Sequence, residues 1–298
     1  VADLKGALKA LRASQPFNLV ATETARGMLR VLGARSDLVV RHLHRVGGVR
    51  CPLPDGRVLR LWSRGDDWVS NQVFWKGWTG YEPETVRPFY HAAARVPAVV
   101  DVGAYVGFFT LLAAHANPTA RVFAFEPHPD VYPRLLRNVD LNEVGNVTCV
   151  AAAAGDRDGE AELVHVPGGL PTSSSLSAEF MAVHPDVVRT RVPVVTLDGF
   201  LGARAVGSVG VLKIDTEGTE PAVLRGCART LERDRPIIFC EVLEAAATAR
   251  TLEDLLRPLG YRFSLLTPAG PRPADRIEPH PRWLNHVFTP PSVDPAHL

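Results

Sequence analysis

A surplus of charge of either sign is what the chain lacks. Thirty-three Lys and Arg face thirty-two Asp and Glu, a net charge of +1. No global field therefore draws it to nucleic acid or to an anionic membrane, and neither is expected as a partner. Cysteine is scarce: Cys51, Cys149, Cys227 and Cys240 contain no CxxC and no spacing suited to a zinc site. Cys149 and Cys240 fall in apolar strand-like runs, where a small buried thiol is expected and a reducing cytoplasm fits. Internal repeats and long low-complexity stretches are missing, and Val1-Ala2-Asp3-Leu4-Lys5 lacks the charged-then-apolar layout of a signal peptide. The expected location is cytoplasmic. One long apolar run exists, residues 96–116, but Asp101, Gly103 and Gly107 interrupt it. A buried parallel strand running into a core-facing helix gives the same hydropathy as a membrane span, and the soluble alternative is the one expected here.

What is present is enough for a large core: 298 residues, 46% apolar and 22% charged, fit one large α/β domain or two small ones. The first fifty residues are basic, nine Lys or Arg against Asp3, Glu23 and Asp37, which reads as solvated helix faces. The first ~45 residues are expected to be helical, from Leu4, Leu8 and Leu11 at helical spacing and the supply at Leu29, Leu32 and Leu38 to Val40. A hairpin follows, Val49–Leu53 and Val58–Trp62 around Pro54-Asp55-Gly56, then a short helix or extended turn at Val73–Trp78. From residue 97 strands alternate with helices: strands Ala98–Val102, Arg121–Glu126, Val147–Ala152, Val211–Asp215 and Ile237–Glu241, and helices Phe108–Ala116, Val131–Asn142 and Pro221–Leu231. That alternation predicts a parallel sheet with right-handed crossovers. Glu160–Val166 and Arg191–Thr196 read as edge strands within an insertion around 160–196. After a helix at Thr251–Leu259, Tyr261–Leu266 and Trp283–Phe288 read as a closing antiparallel pair, connected by the Pro-rich segment 268–281. The expected division is 1–90, a helical and hairpin extension serving as substrate lid or dimer region, and 91–298, the α/β domain. The leucine-rich arm permits a homodimer.

Three motifs carry chemistry. Val99-Val100-Asp101-Val102-Gly103-Ala104-Tyr105-Val106-Gly107 is an apolar strand that ends in a glycine turn and opens into a helix, at the carboxyl edge where parallel sheets bind ligands. Glu126, ending the next strand before Pro127, is placed to accept both ribose hydroxyls of an adenosine. A dinucleotide fingerprint needs a middle glycine to admit a pyrophosphate, and Tyr105 stands there instead. The Gly103-x-x-x-Gly107 form suits S-adenosylmethionine, which carries a carboxylate and an ammonium but no phosphate, and Asp101 is the candidate partner of the ammonium. Third, Leu212-Lys213-Ile214-Asp215-Thr216-Glu217-Gly218-Thr219-Glu220 crowds carboxylates at a strand end, and Glu241 ends the next strand at the same level.

With these residues the chain resembles the FkbM family of S-adenosylmethionine-dependent methyltransferases. The resemblance rests on Asp101-Val102-Gly103-Ala104, Phe125-Glu126-Pro127, Leu197-Asp198, Lys213-Ile214-Asp215-x-Glu217-Gly218-x-Glu220 with Leu224 and Gly226, and Pro236 to Glu241, and covers roughly residues 48–242. It implies a class I methyltransferase (Rossmann-like) fold, with a mostly parallel seven-stranded sheet and helices on both faces. The implied activity is O-methylation of a hydroxyl on a small natural product or sugar-containing acceptor. Carried over by position, the loop of Gly103, Ala104, Tyr105 and Gly107 holds the methionine end with Glu82 nearby, and Asp101, Thr110 and Asp215 are further cofactor-binding candidates. Glu126 and Pro127 take the ribose, and Ala153 lies near the adenine. Tyr105 departs from the family's common asparagine.

The candidate bases for taking the acceptor's proton are His286, Asp215, Glu217 and Glu241. The same acids, Asp215 and Glu241 with Glu217, are the expected ligands of a magnesium ion if the reaction uses one. Trp68, Phe74, Trp75, Trp78 and Tyr81 offer aromatic walls for an acceptor or plain core packing, and Ser173-Ser174-Ser175 a lid or a solvent loop. Two rivals stand: an NAD-dependent Rossmann oxidoreductase, and a non-catalytic adenosine-binding scaffold.

Overall fold

The computed structural model describes residues 14–32, 37–166, 174–176, 186–243 and 246–298. The chain divides into two units, Val1–Glu82 and Pro83–Leu298. The spacing of Leu4, Leu8 and Leu11, and Ser173, lie outside the described residues. Among those described, no helix is long and apolar enough to cross a membrane.

The first unit holds α1 (Gln15–Val31), α2 (Asp37–His42), a hairpin of β1 (Val46–Pro52) and β2 (Val58–Arg64), and α3 (Trp68–Lys76). The hairpin pairs from Val46↔Arg64 to Pro52↔Val58. Alternation buries Val49, Cys51, Leu59 and Leu61 on one face and turns Arg50 and Arg60 to the other. Its turn closes as the Pro-Asp-Gly chemistry requires: Asp55 Oδ1 accepts from Arg57 N at 3.0 Å and Gly56 N donates to Leu53 O. α3 begins five residues before the expected Val73, because Asp67 caps it, accepting from Ser70 N at 2.6 Å.

The second unit opens with α4 (Pro83–Ala93) and is built on a sheet of β3 (Ala98–Val102), β4 (Arg121–Phe125), β5 (Val147–Val150), β10 (Val211–Ile214), β11 (Ile237–Glu241), β12 (Arg262–Thr267), β13 (Gly270–Ala274) and β14 (Asn285–Thr289). Among the described residues the order is β13-β12-β14-β11-β10-β3-β4-β5. The five strands from β11 to β5 are parallel, and β14 enters antiparallel between β11 and β12. The mostly parallel α/β class is as expected, but there are eight strands rather than seven. The eighth, β13, lies inside the Pro-rich segment expected to be a plain connection. Pro271 and Pro273 are two residues apart, so both can point their nitrogen away from β12 while Arg272 between them pairs with Leu265.

Because side chains alternate, the parallel strands bury two different faces. Val100, Val102, Phe123, Phe125, Leu212 and Ile214 join one cluster with α7 (Leu197–Ala203), α8 (Glu220–Arg225), α9 (Ala228–Asp234) and α10 (Ala246–Leu256). The opposite face carries Asp101, Lys213 and Phe239 and meets α4 and α5 (Phe108–Ala116), with Phe89 5.5 Å from Phe239 and 5.0 Å from Phe109. α6 (Tyr132–Leu141) lies beside β5. From β3 the chain steps outward through β4 and β5, then returns to β10 on the other side of β3. That reversal opens a crevice beyond the carboxyl ends of β3 and β10.

The insertion forms its own sheet, which corrects the expectation of edge strands. β6 (Ala153–Ala154), β7 (Gly159–His165), β8 (Ser174–Ser175) and β9 (Val188–Val195) pair in the order β6-β9-β7-β8. β7 and β9 are antiparallel neighbours along their whole length, so each satisfies the other's backbone and neither needs the main sheet. The helix expected at Pro221–Leu231 is broken into α8 and α9 by a close approach: a Cβ on Gly226 would sit 1.9 Å from the Gly155 carbonyl oxygen. Asp198 then starts α9 afresh, accepting from Arg229 N at 2.8 Å and Thr230 N at 2.9 Å, while its own N–H donates to Gly226 O. The helix expected at Thr251 starts earlier, at Ala246, and its last turn is a 3-10 turn at Arg257–Leu259.

Gly226→Ala must displace a backbone carbonyl rather than a side chain. It is expected to lower unfolding free energy by about 2–3 kcal/mol, read as a lower urea midpoint with unchanged slope.

Candidate functional site

The site grows from three strand ends. Gly103 N and Ala104 N both donate to Phe125 O, at 3.0 and 2.9 Å, and Asp215 N donates to Val102 O at 3.0 Å. Gly103 has φ +81°, and a Cβ there would lie 1.8 Å from the Asp215 carbonyl oxygen, so only glycine lets β3 turn against β10. The next residue but one, Tyr105, also holds a left-handed backbone, φ +51°. Asparagine tolerates that region better than tyrosine, and a bulky residue there stores on the order of 1 kcal/mol.

The turn is clamped by Glu126. Its Oε2 accepts from Tyr105 N and its Oε1 from His128 N, both at 2.8 Å. One carboxylate thus ties the glycine turn to the turn after β4. Glu126 is 5% exposed, and burial pushes its carboxyl up to about 7 against the pull of the two amides. Gly107 precedes α5, whose first turn contains Thr110.

Beneath the turn is a buried charge network. Asp101, fully buried, accepts from the Thr110 hydroxyl at 2.6 Å. Burial raises its pKa, and the nearby Lys213 opposes that shift. Lys213, 2% exposed, is in register with Asp101 across the β3–β10 pair. Its Nζ donates to Asp215 Oδ2 at 2.9 Å and lies 4.5 Å from the centroid of the Phe109 ring. Lys213 reaches Asp215 because residues two apart along a strand share a face.

The acidic loop is braced from within. Glu220 Oε1 accepts from Thr216 N, Thr216 Oγ1 and Gly218 N, at 3.2, 3.0 and 3.0 Å. Glu217 has φ +57°, and its carbonyl accepts from Ser175 Oγ at 2.6 Å, which ties the small sheet to this loop. Burial, Asp215 and Glu220 push the Glu217 carboxyl up to about 8.

His286 is buried on β14 beside Cys240, with Nδ1 3.2 Å from Leu284 O and Nε2 3.2 Å from Glu278 O, and burial lowers its pKa. Both ring nitrogens face backbone carbonyls. Glu241 ends β11 opposite Asn285. Ala153 is buried in β6, paired with Val194. Pro127 separates Glu126 from His128, whose ring packs edge-on to His165 at 4.3 Å. Glu82 is the last residue of the first unit, with φ +42°. Among the described residues no three His, Cys, Asp or Glu gather where a metal ion would sit. Asp215, one of the expected ligands, already has an ammonium on Oδ2. The residues present therefore do not fit a magnesium site. Sequence reasoning passed over Glu220 as a brace and Lys213 as the centre of the network. A lysine in a fully apolar parallel strand, level with an aspartate on the next, was the available signal.

The chain is similar to known methyltransferases. The model of the methyltransferase FkbM domain matches residues 101–263. Methyltransferase 1 of Beauveria bassiana (strain ARSEF 2860) is 33% identical over 185 residues, covering 57% of this chain and 74% of that protein. The 31-O-demethyl-FK506 methyltransferase FkbM of Streptomyces tacrolimicus is 28% identical over 199 residues, covering 58% and 75%. The solved structure of methyltransferase FkbM from Methylobacillus flagellatus KT is 17% identical, with a TM-score of 0.45, and covers 74% of this chain and 54% of that one.

Lys213→Met leaves the buried Asp101 and the partly exposed Asp215 carboxyl without their cation and is expected to cost about 3 kcal/mol of stability. Asp101, whose pKa is already raised, rises further in the variant. A carboxyl neutral in the folded state and ionised in the unfolded one loses stability as pH rises. The deficit against the parent should therefore shrink from pH 8 to pH 5, which urea unfolding at the two pH values measures.

Proposed function

The chain belongs to the FkbM methyltransferase family, and from that premise we propose that it transfers a methyl group from S-adenosylmethionine to a hydroxyl oxygen of a small natural product or sugar-containing acceptor. The observation that carries this is the Glu126 clamp. Each carboxylate oxygen spends one lone pair on a backbone amide and keeps another, so the buried group can still accept a pair of vicinal hydroxyls. Beside that clamp the Gly103 turn, where a Cβ would meet the Asp215 carbonyl, keeps the ends of β3 and β10 close together. Tyr105 in place of a middle glycine favours this ligand over a dinucleotide. The name of the Streptomyces relative, a 31-O-demethyl-FK506 methyltransferase, supports oxygen as the acceptor atom.

When bound, the cofactor supplies a methyl already activated by its sulfonium charge. The protein's tasks are to align the acceptor and to receive its proton. Asp101, Lys213 and Asp215 stand beneath the turn, and the Lys213 ammonium, donating to Asp215 Oδ2, holds that side chain in place. Glu217 is the base on this proposal. It stands in a loop pinned by Glu220 and Ser175, and a carboxyl near 8 is matched to proton transfer close to neutrality. His286, with both nitrogens against carbonyls, supports β14 instead. No step passes through a metal ion.

The test is a calorimetric titration with S-adenosylmethionine, followed by release of S-adenosylhomocysteine with hydroxylated acceptors. Hydroxyl donation favours ionised Glu126, so affinity should rise with pH through about 7 and weaken about tenfold from pH 8 to pH 6. Glu126→Gln should bind about 10–100-fold more weakly with no such pH dependence. Turnover at saturating cofactor should rise through about pH 8 in the parent, and Glu217→Gln should lose that limb while His286→Asn keeps it. Turnover unchanged by EDTA is expected throughout.

A further inference from the structure

The segment that leads into β14 reaches the same sheet edge as the glycine turn and the acidic loop. β14 runs antiparallel to β11, so it starts where β11 ends: Asn285 pairs with Glu241, and Val242 N donates to Leu284 O at 2.8 Å. The segment is anchored further back as well. Ile277, 4% exposed, donates its N–H to Glu253 Oε1 at 2.6 Å, and Glu278 O lies 3.2 Å from His286 Nε2. Between these anchors the His280 ring stacks on Trp283, with centroids 4.6 Å apart and planes 14° from parallel. His280 Nδ1 accepts from Arg282 N at 3.2 Å and from Trp283 N at 3.1 Å. In the neutral ring the proton therefore sits on Nε2, which is left as a donor. The Arg282 guanidinium carbon lies 5.7 Å from the centre of the indole. Arg282 is exposed, and among the described residues it makes no salt bridge.

Packing does not account for this arrangement. Trp283 is half-buried and lies outside the apolar cluster that α7 to α10 cover, where an indole would recover most of its area. It is held instead as a rigid plane, by a stacked imidazole whose own nitrogen is tied to the backbone. Beside the plane stand two donors that no described residue satisfies, the guanidinium and His280 Nε2–H. An apolar plane rimmed by donors fits a saturated, hydroxylated ring. The C–H face of such a ring packs on the indole, and its oxygens accept at the edge. A flat aromatic acceptor would use the plane and leave the donors without acceptors. The position fits as well, on the methyltransferase reading. There the Gly103 and Glu126 turns hold the cofactor at the ends of β3 and β4, and the base Glu217 follows β10. β11 and β14 come next in the sheet, on the side away from β4. Two strand spacings, about 10 Å, separate the ends of β10 and β14. A sugar ring seated at Trp283 spans that distance when one hydroxyl turns toward β10.

We propose that Trp283, with His280 and Arg282 at its edge, is the platform on which a pyranose ring of the methyl acceptor stacks.

Saturation-transfer NMR tests it, on the full chain saturated with S-adenosylhomocysteine and with the methyl pyranosides of glucose, galactose, mannose and rhamnose as probes. At least one of these should receive saturation on the protons of one ring face. Trp283→Ala should weaken that pyranoside about tenfold, while Trp283→Phe, which keeps a plane, should hold it within about threefold of the parent. Arg282→Gln should weaken it about fivefold. In turnover the loss in Trp283→Ala should fall on KM and leave kcat unchanged, as removal of uniform binding does. Calorimetric affinity for S-adenosylmethionine should match the parent in all three variants. Three results would overturn the platform and leave the methyltransferase reading standing: no transfer to any pyranoside, a Trp283→Ala protein that binds the pyranoside like the parent, or benzyl alcohol held as tightly as the sugars. A parent that takes up no S-adenosylmethionine would remove that reading, and this proposal with it.

Discussion

The ammonium of Lys213 is the constraint on which the rest of the site depends. It is buried on a sheet face between Asp101 and Phe239, and a cation there without a counter-charge would be untenable. It is tolerable because β3 delivers Asp101 to the same level and β10 itself delivers Asp215 two residues on. The Phe109 ring closes the space above. Each partner comes from a different piece of the crevice wall: a strand, a strand end and the first turn of a helix. Shifting β3 against β10 by one residue would turn one of the charges to the opposite face. The network therefore fixes the register of the two strands whose ends diverge to make the crevice. Its worth lies in that specificity more than in net stability, since buried ion pairs recover little beyond their desolvation.

Above that level the site is held mostly by backbone. The glycine turn is fixed by two amides on one carbonyl of β4, the clamp by amides on Glu126, and the acidic loop by amides on Glu220. This explains how Tyr105 can stand where asparagine is usual. The clamp uses the main-chain N–H of that position, which every residue but proline supplies. What tyrosine changes is strain, because its left-handed backbone is one that asparagine adopts more easily.

The parallel strands were legible because they are buried on both faces, so their runs of Val, Ile, Leu and Phe are nearly unbroken and end where polar residues begin. β3 and β11 match their expected limits to the residue. What escaped depends on residues far apart in the chain. The break at Gly226 is set by the Gly155 carbonyl, and the restart of α9 by Asp198, neither of which leaves a trace in the local pattern of Pro221–Leu231. β13 was hidden by its own prolines, which forbid a central strand but not an outer one. Glu126 stood out as an acid ending a strand. No one of the candidate bases did, since Asp215, Glu217, Glu241 and His286 differ only in the partners around them, a property of the folded chain.

The site is also expensive to keep ready. Glu126 in the folded protein protonates near pH 7 rather than in the ordinary glutamate range, so folding grows less favourable as pH rises between those limits. A shift of that size corresponds to about 3 kcal/mol, a sizeable part of the 5–15 kcal/mol that usually separates folded from unfolded chains. A buried carboxylate braced by two amides and still short of partners is thus a deficit carried by the empty protein. Two hydroxyls donated to it would remove that deficit. The free energy recovered would appear both as affinity and as resistance to unfolding, so ligand binding and stability should be coupled through this one residue.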